Sequence, residues 1–225
     1  MSAMLADTRP NEATPIVETP RLERKRVVII GGGFAGIAAA HALRHADVEV
    51  LLIDRRNHHI FQPLLYQVAT AVLSPAEIAA PIRQLEAKQR NVSVLLAEVT
   101  AIDVASRTIE AASPGAGVRK IAFDYLVVAT GMRPSYFGHD EFARYAPGLK
   151  SLTDAETIRA KILGAIELAV TTEDENERAR IDDNGVIAGG KRIPSATVVW
   201  TAGVAASPVP KNARRQDRPC RTGAR

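Results

Sequence analysis

A glycine-rich loop constrains the fold of this chain more than any other feature. The loop reads Gly31-Gly32-Gly33-Phe34-Ala35-Gly36, with glycine at its first, third and sixth positions. The β-branched stretch Arg26 to Ile30 before it predicts a buried strand, and the alanine-rich stretch Phe34 to His45 predicts a helix. In this pattern the first glycine permits a tight turn, the third lets backbone approach a pyrophosphate, and the sixth lets helix and strand pack closely. The loop therefore predicts phosphate binding at a helix N-terminus.

An acidic residue follows the next predicted strand. Val48 to Ile53 predicts a second buried strand, and 17 residues separate Gly36 from Asp54 at its tip. A carboxylate at this place can accept hydrogen bonds from a ribose diol. It disfavours a 2′-phosphate, but Arg55 and Arg56 follow at once and could offset the repulsion, so NADP is not excluded. The alternatives are a glycine- and alanine-rich helix start without a ligand, and a solvated arginine pair.

The rest of the chain predicts shorter elements. Asn57 to Ala71 is expected to be irregular. Two capping boxes, Ser74 to Glu77 and Thr153 to Glu156, predict helix starts, and the second helix should run to about Val170. Pro81 should kink or shorten the first. Further strands are expected at Val92 to Val99, Arg107 to Ala111, Arg119 to Asp124, Tyr125 to Ala129 and Thr197 to Thr201, with a small hairpin at Val186 to Ile193.

These elements predict an α/β fold, with a Rossmann-like parallel sheet and a small antiparallel hairpin layer. We predict a flexible leader at 1–25, a folded domain at 26–208 and a disordered basic tail at 209–225. The leader is polar and lacks the apolar run of a signal peptide. Six Lys or Arg residues and one Asp give the tail a charge of +5, so the remainder carries −1 of the net +4. A nucleic-acid partner for the folded part is therefore rejected.

No metal site is predicted from cysteines, because the one cysteine, Cys220, lies in the tail. We do not expect this chain to be a short-chain NAD(P) dehydrogenase, because that class needs a Tyr-x-x-x-Lys pair. None of the four tyrosines has a lysine four residues later.

Three segments together resemble the type II NADH:quinone oxidoreductases, which are flavoproteins with two dinucleotide domains. They are the fingerprint run ending at Asp54, the segment His59-Ile60-Phe61-Gln62-Pro63-Leu64-Leu65-Tyr66-Gln67-Val68-Ala69, and Tyr125-Leu126-Val127-Val128-Ala129-Thr130-Gly131. The second segment is the most specific. The resemblance covers 26–170 and resumes over 181–208.

The resemblance implies FAD as cofactor, NADH as co-substrate and a quinone as acceptor, in a cytoplasmic protein at the cytoplasmic face of a membrane. The implied contacts run from the pyrophosphate to the flavin ring. They are Gly31, Gly32, Gly33, Phe34 and Ala35 for the pyrophosphate, with Gly36 in the same cofactor-binding loop, Asp54 and Arg55 for the adenosine ribose, Val99 for the adenine, Thr130 and Gly131 at the strand tip, and Pro63 and Leu64 for the isoalloxazine. His58 and His59 lie near the expected flavin edge, but loop histidines are usually solvated, so no catalytic residue is assigned.

The chain departs from the family in its second half. No second GxGxxG follows, although the family inserts an NADH domain between segments like those that meet near Arg180 and Ile181. The Gly-Asp motif, the quinone segment and the membrane-binding helices of the family are also missing. We therefore expect an internally deleted, C-terminally truncated form with weak or no turnover, or a non-catalytic FAD- or nucleotide-binding remnant.

Overall fold

The computed structural model describes residues 17–18, 23–171, 186–188, 191–193 and 204–206. The strands, in chain order, are β1 Val17–Glu18, β2 Lys25–Ile30, β3 Val48–Asp54, β4 His58–Ile60, β5 Ala79–Pro81, β6 Val92–Leu96, β7 Glu98–Asp103, β8 Thr108–Ser113, β9 Gly117–Ala122, β10 Tyr125–Val128, β11 Met132–Pro134, β12 Val186–Ala188, β13 Lys191–Ile193 and β14 Val204–Ala206. The α-helices are α1 Phe34–Ala42, α2 Leu65–Ala69, α3 Pro75–Ile78, α4 Ile82–Leu85 and α5 Leu152–Thr171, and short 3-10 turns span Gln62–Leu64 and Asp140–Arg144.

Four strands form the predicted parallel sheet, in the order β10-β2-β3-β6. Strand β2 pairs in register with β3 and β10, and β3 pairs with β6. The central strands carry the apolar runs Val27 to Ile30 and Val50 to Ile53, as expected where both faces of a sheet are covered. On one face, Ile29, Leu52 and Ile82 lie in a buried cluster with residues of α1. This arrangement brings the carboxyl ends of β2, β3 and β10 to one edge.

The predicted hairpin layer is also present and covers the other face. Strands β7, β8 and β9 form an antiparallel sheet, and β1 adds to β9 in parallel, so two residues of the predicted leader join it. Ile102, Ile109 and Ile121 of this layer pack in one cluster with Val28 and Ile53 of the parallel sheet.

The prediction of one strand at Val92 to Val99 is wrong. Strand β6 ends at Leu96 and β7 begins at Glu98, so the chain passes from the parallel sheet to the antiparallel one. Ala97 sits between them, buried, and its N–H donates to the carbonyl of Asp54 at 2.9 Å. Hydrophobic periodicity could not reveal this crossing, because the residues from Val92 to Val99 form one largely apolar stretch that spans the end of β6 and the start of β7.

The irregular segment predicted at Asn57 to Ala71 is ordered as β4, a 3-10 turn and α2. Strand β4 pairs with β5, which follows α3 directly, so Pro81 lies at the end of a strand between two short helices. Glu77 accepts the Ser74 N–H at 2.6 Å, as the first capping box requires. The helix predicted from Phe34 to His45 ends at Ala42, where the Leu43 N–H bonds to the carbonyls of Ala39 and Ala40.

Helix α5 forms as predicted, but with a different cap. Asp154 accepts the Ser151 N–H at 2.8 Å, and the Asp154 N–H donates to the Ser151 hydroxyl at 3.1 Å. The box is therefore Ser151 to Asp154, two residues before the predicted one. Buried Ala155 and Ile158 pack this helix against α2.

The hairpin predicted over Val186 to Ile193 is confirmed by the pairing of β12 with β13. Strand β14 pairs with β11, a contact that the sequence did not predict. The strand predicted at Thr197 to Thr201, the junction near Arg180 and the basic tail lie outside the described residues. No helix in the described part of the chain is long and apolar enough to cross a membrane.

Candidate dinucleotide-binding site

Two glycines of the loop leave no room for a side chain. Gly31 has a φ of +108°, and a Cβ built there would lie 2.3 Å from the carbonyl oxygen of Ala129. A Cβ on Gly36 would lie 1.7 Å from the carbonyl oxygen of Gly31. The loop thus turns tightly off β2, and α1 packs directly on that turn. These are the roles that the fingerprint assigns to its first and sixth glycines.

Gly32 is held on three sides. Its N–H donates to Asp54 Oδ2 at 2.6 Å, and its carbonyl lies 3.1 Å from His59 Nδ1. A Cβ on Gly32 would lie 2.4 Å from Cδ1 of Ile82, so the Ile82 side chain packs against the loop at this residue. Gly32 is accordingly buried, whereas Gly33, Phe34 and Ala35 are exposed. The loop therefore has one anchored peptide and an open stretch after it.

The open stretch is the N-terminus of α1. Gly33 is its N-cap residue, and within the described residues no side chain caps this end and no acidic residue lies in its first turn. A Cβ on Gly33 would meet nothing within 4 Å, so its surroundings are open on the outer side. Uncapped N–H groups and the positive end of the helix dipole make this a place for an anion.

A cleft of about 360 Å³ opens beside the loop, at the carboxyl edge of the parallel sheet. It is lined by residues from the tips of β2, β3 and β10 and from the start of β7. The sequence-predicted residues among them are Gly31, Asp54, Arg55, Val99 and Thr130, and those not predicted as contacts include Arg56, Glu98 and Arg133. The cleft has the position that open parallel sheets give to their ligands.

Asp54 lines this cleft, and both of its oxygens accept backbone hydrogen bonds. Oδ2 accepts the Gly32 N–H, and Oδ1 accepts the Arg56 N–H at 2.8 Å. Each carboxylate oxygen has a second lone pair, so a ribose hydroxyl can still bind. The structure adds a second task for this residue, which is to fix the glycine loop.

Other predicted contacts lie outside the cleft. Pro63 is exposed in the 3-10 turn, and Leu64 packs against the cluster between α2 and α5. Gly131 is exposed beyond the strand tip with a φ of +71°. The contact roles assigned to these three residues, like those of the residues that line the cleft, stay predictions.

The two histidines are not on a solvated loop, because both lie on β4. His58 is half-buried, and its Nε2 is buried without a hydrogen-bond partner among the described residues. Burial and the Arg56 cation lower the pKa of His58, and the nearby Asp54 carboxylate only partly opposes them. A lowered pKa favours the neutral imidazole near the cleft.

Sequence reasoning missed Ile82 and Arg133 as parts of this site, and it placed His59 near the flavin edge without predicting its contact with the glycine loop. Ile82 and His59 reach the loop through the β4–β5 pair, and no local pattern signals that pairing. Arg133 lines the cleft from β11, only two residues beyond the recognised Thr130-Gly131 turn. Its closeness to that turn is the one signal that could have found it.

A family model described as pyridine nucleotide-disulphide oxidoreductase matches residues 25–173. The chain belongs to this family. The resemblance to the type II NADH:quinone oxidoreductases is also confirmed. The chain is 48% identical over 176 residues to the type II NADH:quinone oxidoreductase Ndh of Mycobacterium tuberculosis, and 49% identical over 157 residues to NdhA of the same organism.

The match covers only part of the length of these relatives. It covers 78% and 70% of this chain but only 37% and 33% of Ndh and NdhA, so the chain spans about a third of their length.

Solved structures show the same fold. NDH2 from Plasmodium falciparum, in complex with NADH, superposes with a TM-score of 0.64 at 25% identity, covering 71% of this chain and 33% of NDH2. The sulfide:quinone oxidoreductase of Aquifex aeolicus gives a TM-score of 0.55 at 29% identity, covering 65% of this chain and 33% of that protein. The α/β fold predicted from the sequence is thus shared with these two proteins.

Proposed function

We propose that this chain binds FAD through the ADP half of the cofactor, as part of a type II NADH:quinone oxidoreductase. The observation that carries the proposal is the uncapped N-terminus of α1, which opens beside a cleft at the tips of three parallel strands. The pyrophosphate would lie against Gly33, Phe34 and Ala35, since Gly31, Gly32 and Gly36 are buried in the turn.

The residues present fit this group. The open side of Gly33 allows the close approach that a pyrophosphate needs. The cleft of about 360 Å³ has the size of a small-molecule site. Asp54 offers acceptor lone pairs to a ribose, and Arg55, Arg56 and Arg133 bring positive charge to the cleft, which suits an anionic ligand. Val99 would face the adenine from the start of β7.

The proposed activity follows from the relatives, which are named for NADH and quinone. Bound FAD would supply the redox chemistry, taking a hydride from NADH and passing electrons to a quinone. The described residues of this chain would bind the cofactor and orient it. Of the predicted flavin contacts, Leu64 is held by packing against the cluster between α2 and α5, and Pro63 precedes it in the 3-10 turn. A quinone acceptor, NADH and a place at the cytoplasmic face of a membrane belong to this proposal.

A second candidate is a non-catalytic FAD- or nucleotide-binding protein. It is favoured by the sequence, which has no second GxGxxG to position a nicotinamide. Hydride transfer needs the nicotinamide held against the flavin, and positioning both is the protein's task.

NADH-dependent quinone reduction by the purified, FAD-loaded chain separates the two candidates. Sustained turnover would support the enzyme. Stoichiometric FAD binding with no turnover above free FAD would support the binding protein. A folded chain that binds neither FAD nor ADP would contradict both.

A further inference from the structure

One histidine outside the predicted contacts bonds directly to the glycine loop. His59 Nδ1 lies 3.1 Å from the carbonyl oxygen of Gly32. A carbonyl can only accept, so the imidazole must carry its hydrogen on Nδ1 and donate it. The residue is half-buried on β4, where its backbone pairs with Ala80 of β5. Its side chain is therefore held by a strand and not by a loose loop.

The geometry points to a positioning role for His59, which rests on the proposed function. We infer that its Nδ1–H fixes the Gly32–Gly33 peptide so that the Gly33 N–H faces the pyrophosphate of the dinucleotide. In a trans peptide the carbonyl and the N–H point in opposite directions. Because the Gly32 carbonyl points at His59, the Gly33 N–H points away from β4, on the open side of the loop.

The other contacts of Gly32 support the same reading. Asp54 accepts the Gly32 N–H, and Ile82 fills the space beneath its Cα, so His59 completes the hold on this residue. A hydrogen bond to a peptide carbonyl also polarises the peptide and strengthens its N–H as a donor. The effect falls on the one exposed loop glycine whose outer side is open.

The His59 ring has a second contact, which offers a competing explanation. Its centroid lies 4.8 Å from that of Phe34, in an edge-to-face arrangement. If packing on Phe34 were the whole role of His59, any flat ring would serve. Two variants separate these roles. His59→Phe keeps a ring without a donor, whereas His59→Asn keeps a donor near Nδ1 without the ring.

The test uses the full chain and compares His59→Phe and His59→Asn with wild type, and His45→Phe serves as the control at an exposed histidine. The first readout is the ¹⁵N chemical shift of the Gly33 amide without ligand. The second is the FAD dissociation constant from flavin fluorescence. We expect His59→Phe to move the Gly33 resonance and weaken FAD binding by about two- to tenfold, the value of one hydrogen bond. His59→Asn and His45→Phe should stay near wild type in both.

The inference is overturned if His59→Phe leaves the Gly33 resonance and the FAD affinity unchanged. It is also overturned if His59→Asn loses affinity while His59→Phe retains it, because packing on Phe34 would then be the role. Absence of FAD binding by the wild-type chain would contradict the proposed function instead. The Gly33 resonance would still decide whether His59 holds the loop.

Discussion

The two ends of α1 are treated in opposite ways. At its C-terminal end, side chains from the segment before β6 satisfy the backbone. Gln89 Nε2 donates to the Ala40 carbonyl at 2.8 Å, and Asn91 Nδ2 donates to the Leu43 carbonyl at 2.9 Å. At its N-terminal end, within the described residues, no side chain caps the helix.

The difference shows that the backbone carbonyls at the C-terminal end of α1 are hydrogen-bonded within the protein, whereas the N–H groups at its N-terminal end are left for another partner. Orphan groups at a helix end must find partners, from the protein, from water or from a ligand. This chain closes the C-terminal end with two amides and leaves the N-terminal end beside a cleft. The open end is therefore the one offered to an anionic ligand.

The largest effect is expected at Gly36, where the loop and helix meet. Gly36→Ala would place Cβ 1.7 Å from the Gly31 carbonyl oxygen, so the backbone must move. We expect a loss of more than about 3 kcal/mol in unfolding free energy, from overpacking against backbone. Urea denaturation followed by circular dichroism measures it. A variant as stable as wild type would show that the loop does not pack as described.

The glycine loop could be predicted from sequence because its chemistry is local. The turn, the close approach and the helix start all lie within six residues. The capping of the C-terminal end of α1 could not be predicted, because Asn91 is 48 residues from Leu43 and no sequence motif marks it as a capping residue. The same holds for His59 and Ile82, which reach Gly32 only through the β4–β5 pair. At α5, two overlapping capping boxes fit the sequence, and only the structure decided between them.

The next largest effect should come from the closed end. Asn91 Nδ2 donates not only to Leu43 but also to the carbonyls of Ala46 at 3.2 Å and Val48 at 3.3 Å. Asn91→Ala removes the side-chain donor shared by these three carbonyls, while the Leu43 carbonyl still accepts the Ala46 N–H at 3.0 Å. We expect a loss of about 1–3 kcal/mol in unfolding free energy. FAD affinity of the folded fraction should not change. A loss of affinity with full stability would mean that the two ends are not separate.

The open end gives the converse result. Gly33→Ala meets no atom within 4 Å, and its φ of −79° suits alanine, so unfolding free energy should change by less than about 0.5 kcal/mol. The added methyl group would stand where the pyrophosphate approaches. FAD affinity, measured by fluorescence titration, should fall about tenfold or more, equivalent to about 1.4 kcal/mol. Unchanged FAD affinity in Gly33→Ala would contradict the placement of the pyrophosphate against Gly33.

The smallest effect concerns a buried carboxylate at the closed end. The Glu86 side chain is buried, and its Oε1 lies 3.3 Å from His41 Nε2 in the last turn of α1. Neither Glu86 oxygen accepts a hydrogen bond from the described residues. Burial raises the pKa of Glu86, and His41 opposes this rise only in part.

A raised carboxyl pKa means that the folded state binds the proton more tightly than the unfolded state. Stability from this group therefore increases as the pH falls through the folded-state pKa, down to the ordinary carboxyl value. Glu86→Gln should remove this increase and make the chain more stable at pH 8, by less than about 1 kcal/mol. Thermal melts of both proteins from pH 4 to pH 8 measure it. If the melting temperatures of the two proteins changed with pH in the same way across this range, the raised pKa of Glu86 would be contradicted.

Binding of the ADP half of FAD at the open end of α1 and its cleft can be measured directly. Isothermal titration of the folded chain with FAD, ADP and FMN separates the two halves of the cofactor. We expect FAD and ADP each to bind at one site per chain and to compete with each other, and FMN not to bind. Binding of FMN without ADP, or no binding of FAD or ADP by a cooperatively folding chain, would contradict it.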